Sequence, residues 1–95
     1  MKYVFISDDT ATVAVDGRYD LVRNVEVTKE IQDALGQGCR RIHIDLSKTT
    51  YIDSSVEWSW IRLHRRVGDT NFRLSGASGM VLDALRTAKF DKWIR

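Results

Sequence analysis

The stretch RIHIDLSKTTYIDSSVEWSW, Arg41 to Trp60, limits the fold more than any other part of the chain. Ile42, Ile44 and Leu46 alternate with His43, Asp45 and Ser47, the period-two pattern of a strand with one buried side. After Lys48 to Ile52 the period changes. Val56, Trp60, Leu63 and Val67 fall on one stripe of a helix over Ser54 to Val67, with Glu57, Arg62, Arg65 and Arg66 on the rest of its surface. A strand that feeds an amphipathic helix calls for a parallel partner strand beyond it, reached by a right-handed crossover. Asp53, Ser54 and Ser55 stand where the helix opens. A helix start leaves backbone N–H groups unpaired and carries the positive end of the dipole, so a serine there caps the helix or accepts a phosphate.

The flanking segments extend the alternation. Tyr3 to Ser7 and Ala11 to Val15 read as strands joined by a hairpin turn at Asp8-Asp9-Thr10. Asp16 to Asp20 interrupts the strand pattern. Val27, Ile31, Ala34 and Leu35 then mark a helix from about Asn24 to Leu35, with Asn24 as its N-cap and Gly36 or Gly38 as its stop. Phe72 and Leu74 mark a further strand. Ser78 is placed to cap a third helix whose buried side is Val81, Leu82, Leu85 and Ala88, and Phe90, Trp93 and Ile94 complete the core. The order ββαβαβα predicts an α/β domain, a mixed sheet of four to five strands with helices mainly on one face. With 95 residues, 43% of them hydrophobic, the chain has material for one core, so a single domain over 1–95 is expected.

Several function classes are disfavoured. No apolar run approaches the ~18 to 20 residues of a membrane span, and Met1 to Ile6 reads as a first strand rather than a signal peptide. A lone Cys39 cannot form an internal disulfide, which fits a cytoplasmic setting. Net charge is only +2, without the interleaved aromatics of a nucleic-acid module. Arg62, Arg65, Arg66, Arg86, Lys89, Lys92 and Arg95 crowd the second half, as a solvated helix face or as a surface for an acidic partner or anionic headgroups. His43 and His64 lack further ligands at metal-like spacing. No base is evident beside the serines, and no phosphate-binding glycine loop is present, so no enzyme activity, cofactor or metal is expected.

Gly17-Arg18-Tyr19-Asp20 before the first helix, the strand Ile42 to Leu46, Tyr51-Ile52-Asp53-Ser54-Ser55 and the closing strand Phe72-Arg73-Leu74 together resemble a STAS domain, the fold of anti-sigma factor antagonists. The resemblance runs over nearly the whole chain. It implies a bacterial signalling protein that works by partner switching. A GHKL-type serine kinase that is also an anti-sigma factor would phosphorylate Ser54, and a cognate phosphatase would reverse the reaction. Asp20, Asp53, Ser54, Ser55, Val56, Glu57 and Trp58 would form the partner-binding surface. A phosphate adds ~1.5 to 2 negative charges and disrupts a packed interface by repulsion and desolvation.

Where the family continues with glycine, an aliphatic residue and glycine, this chain has Val56, Glu57 and Trp58, a bulkier and more acidic helix start. That departure keeps a second expectation open: an accessory subunit that packs on the ATPase of a phospholipid-transporting ABC complex, without phosphorylation. Of the tryptophans, Trp60 and Trp93 are expected in the core and Trp58 on the surface, as a binding anchor.

Overall fold

The computed structural model describes residues 1–95. Strands β1 (Val4–Ser7) and β2 (Thr10–Ala14) form a hairpin whose two-residue turn places Asp8 at φ +53°, a left-handed position that aspartate tolerates better than most residues. Then follow β3 (Gly17–Tyr19), α1 (Leu21–Gly36), β4 (Arg41–Asp45), β5 (Thr49–Ile52), α2 (Ser54–Val67), β6 (Phe72–Ser75) and α3 (Gly79–Thr87). Single 3-10 turns at Asp69–Asn71 and Asp91–Trp93 connect or close the elements.

The main sheet has the order β1-β2-β4-β6, antiparallel at its first pair and parallel at the other two. Its register lines up Val4, Val13, Ile44 and Leu74 across four strands, all buried, and beside them Ala11, Ile42 and Phe72. These rows face the helices. The alternate rows, Phe5–Thr12–His43–Arg73 and Ala14–Asp45–Ser75, form the opposite, open face, so the helices lie against one side as the alternation in β4 predicts. Cutting Ile44 to alanine would cost ~2–5 kcal/mol through the cavity it leaves.

Two strands arise where the sequence reads as loop. β3 and β5 pair in parallel as a separate two-stranded sheet, with an irregularity between Gly17 and Arg18 and with Gly17 at φ +87°. Each is too short to show a period. Buried Tyr19 and Ile52 anchor this ribbon to the core, and Tyr19 meets Trp60 edge to face at 6.1 Å. Trp60 continues to Phe90 at 6.3 Å, and Phe90 stacks on Trp93 at 4.8 Å.

The predicted helix starts need correction at two places. α1 begins at Leu21 with Asp20 as its N-cap, three residues before the expected start, so Asn24 is an interior residue and is buried. Ser78 holds the N-cap position of α3 but its hydroxyl makes no capping bond. On α3 Leu82 is only half-buried, and Ile94 stays partly exposed while its backbone bridges to Leu74. Glu30 on α1 accepts hydrogen bonds from the backbone N–H groups of Tyr3 (2.9 Å) and Val4 (3.1 Å), tying the hairpin to the helix layer.

Candidate functional site

Tyr19 and Ile52 are register partners at the ends of β3 and β5. The next residue of each strand is an aspartate, and each aspartate caps a helix: Asp20 accepts from Arg23 N at 3.1 Å, and Asp53 from Ser55 N at 3.0 Å and Val56 N at 3.4 Å. The two-stranded ribbon therefore brings two capped helix N-termini side by side. Both carboxylates neutralise orphan N–H groups and sit in the favourable field of the dipoles.

At the start of α2 the serines divide. Ser54 is the first helical residue, exposed, and its hydroxyl has no hydrogen-bond partner in the chain, while the cap that serine commonly supplies comes from Asp53. Ser55 turns its hydroxyl back onto Asp53 Oδ1. Val56 is fully buried, so it presents no surface to a partner; its place in the core stripe decides its orientation. Glu57 is half-buried, and burial first, then the charge of Asp53, raise its carboxyl above the ordinary carboxylate range. Trp58 is 62% exposed.

The surface around Trp58 includes residues that the sequence pattern did not single out. Leu21 and Val25 are exposed, and an open groove of about 610 Å³ between α1 and α2 is lined by Leu21, Val25, Thr28, Trp58 and Arg62. Their signal lies in the sequence after all: they are apolar but fall off the stripe of Val27, Ile31 and Ala34 that α1 buries. Beneath the groove Asn24 donates to Ser59 Oγ at 2.9 Å and to the Ser55 carbonyl at 3.2 Å, joining the two helices. On α3, exposed Met80 borders a mainly apolar cup of about 230 Å³ with Tyr51, Ile52, Val81 and Ala84.

One serine does meet a histidine, far from these positions in the register. On the open sheet face His43 Nε2 lies 2.6 Å from Ser75 Oγ, and an Arg73 N–H points at His43 Nδ1 from 3.3 Å. Arginine only donates, so Nδ1 accepts and the proton sits on Nε2, aimed at the serine. That tautomer is the reverse of the one that would draw a proton from the hydroxyl. No group of three or more His, Cys, Asp or Glu side chains is arranged to hold a metal ion.

Residues 4–95 match the family model described as "Mlab, STAS domain". Among solved structures, a Thermotoga maritima protein described as an anti-sigma factor antagonist superposes with TM-score 0.81 at 19% identity, covering 97% of this chain and 81% of that one. The anti-sigma factor antagonist SpoIIAA in its unphosphorylated form gives TM-score 0.75 at 17% identity, covering 96% and 83%. A sulfate transporter family protein from Wolinella succinogenes gives 0.70 at 13% identity, covering 93% and 73%. At such identities the likeness is one of fold. No curated protein sequence matches the chain.

Proposed function

Because the chain belongs to the STAS domain family, we propose that it is a regulatory protein-binding module that docks a partner over the paired helix starts and is released by phosphorylation of Ser54. The observation that carries this reading is the exposed, unbonded Ser54 hydroxyl on the first turn of α2, one residue past the Asp53 cap and on the helix that presents Trp58. A phosphate there would join the carboxylates of Asp53 and Glu57 on one helix start, and the resulting repulsion and desolvation would oppose any packed interface. Asp20 borders the same surface from α1, and Ser55 holds Asp53 in its capping position. The partners that fit are a serine kinase of the anti-sigma factor type and a phosphatase that restores the hydroxyl, with the reaction taking place in the cytoplasm.

Co-purification from the native host, with intact mass and peptide mapping of Ser54, tests the proposal. A bound serine kinase with phosphate on Ser54, and a Ser54→Asp variant that binds it much more weakly, are expected. A Ser54→Asp variant that binds as tightly as wild type would refute release by charge.

A second reading rests on the apolar band itself. Leu21, Val25 and Trp58 offer a surface suited to a lasting contact, as in an accessory subunit seated on the ATPase of a phospholipid-transporting ABC complex. Recovery of such an ATPase with unmodified Ser54 would select this reading over the first.

A further inference from the structure

The geometry points to a binding site for a phosphate-monoester group on the open face of the main sheet, held by Arg41 and Arg73. A pocket of about 280 Å³ opens where β2, β4 and β6 begin, and its lining includes Thr10, Arg41, His43, Asn71, Arg73 and Arg95. The register explains the gathering: Thr10 pairs with Arg41, and His43 with Arg73, so alternate residues of three adjacent strands project side by side.

The charges at this site are poorly neutralised. Arg73 has no carboxylate within salt-bridge range and spends one N–H on His43 Nδ1. Arg41 reaches only the exposed Asp9, at 3.8 Å, and Arg95 pairs with Asp69 at 3.1 Å. Neither aspartate lines the pocket. Burial and then the Arg73 charge lower the His43 imidazole from its ordinary value against the opposing charge of Asp45, and the Nδ1 contact holds Arg73 in place over the sheet. Each guanidinium offers five donors in a planar fork, and Thr10 adds a hydroxyl. That donor set exceeds what the two oxygens of a carboxylate take up and suits the three terminal oxygens of a phosphate monoester.

The site is separate from Ser54. Asn71 follows the C-terminal end of α2, whereas Ser54 begins it, and a helix of 14 residues spans about 20 Å. A phosphate bound at one end and a phosphate placed on the other would occupy different positions on the domain.

Titration of isotope-labelled protein with inorganic phosphate at constant ionic strength, followed through the His43 ring and Arg73 guanidinium signals, tests the site. Saturable shifts are expected at these two residues, with binding weakened about tenfold or more in Arg73→Gln, and in Arg41→Gln as an independent variant. The amide spectrum reports whether each variant keeps the fold, and Arg86→Gln, exposed on α3 and outside the pocket, should bind as wild type does. Phosphatidylcholine vesicles with and without phosphatidate form the second arm. Saturation by free phosphate assigns a soluble ligand, whereas a response to phosphatidate vesicles alone assigns a lipid headgroup. Shifts that rise linearly at all exposed arginines, binding unchanged in both variants, or silence toward both probes would overturn the site.

Discussion

Asn24 of α1 and Ser59 of α2, 35 residues apart in the chain, share a buried hydrogen bond of 2.9 Å. The same amide reaches the Ser55 carbonyl, so one side chain fixes the first turns of both helices relative to each other. Asn24→Ala removes the donor and leaves buried acceptors without it, at a cost of ~1–3 kcal/mol. Urea denaturation should show the midpoint falling with the slope unchanged. A loss indistinguishable from zero would mean that water replaces the amide freely.

Asp53→Ala should destabilise the domain by ~1 kcal/mol, since it strips the cap from α2. Ser54→Ala should change stability by less than ~0.5 kcal/mol, because that hydroxyl has no partner to lose. The order of the two effects is the test. If serine proved the costlier substitution, Ser54 rather than Asp53 would be the cap in solution.

Trp58→Ala separates surface from core. With the residue 62% exposed, the change should leave stability within ~0.5 kcal/mol. Affinity for a partner recovered from the host should fall by ~2 kcal/mol or more if Trp58 is the central anchor of the interface. Calorimetry on the purified pair measures the second quantity, and thermal unfolding of the free domain the first.

His43 gives the domain a specific acid sensitivity. Burial, and after it Arg73, lower its folded value below the ordinary 6.5. The unfolded chain therefore takes up the proton first. Stability is fully present above pH 6.5, declines as pH falls below it, and levels off once the folded imidazole is also charged. The ring proton shift of His43 should titrate below 6.5, and Arg73→Gln should move the midpoint upward while burial keeps it depressed. A midpoint unmoved by Arg73→Gln would dissolve the pairing of these two side chains.

Much of this molecule was legible as pattern. β4 and α2 alternate and repeat cleanly because each is amphipathic, and both lie where their periods place them, with Trp60 and Trp93 in the core and Trp58 outside. β3 and β5 escaped because strands of three and four residues show no period, and their pairing depends on contacts across 32 or so positions of sequence. Asn24 misled for a different reason. Asparagine is a favoured cap, but Asp20 takes that role first, and a polar amide inside a helix declares itself only when Ser59 arrives from another element. The Arg73–His43–Ser75 cluster was hidden likewise, since no spacing along the chain signals a register between β4 and β6.

The two-stranded ribbon of β3 and β5 also bears on how such domains diversify. The starts of α1 and α2, the proposed docking surface, hang from it, whereas the four-stranded sheet supplies the row Val4–Val13–Ile44–Leu74 that holds the fold. The proposed recognition surface and the main core thus rest on different strands. Changes at exposed positions such as Trp58 have only to respect the buried anchors Tyr19, Ile52 and Val56, so the surface at these helix starts can be rewritten without renegotiating the architecture.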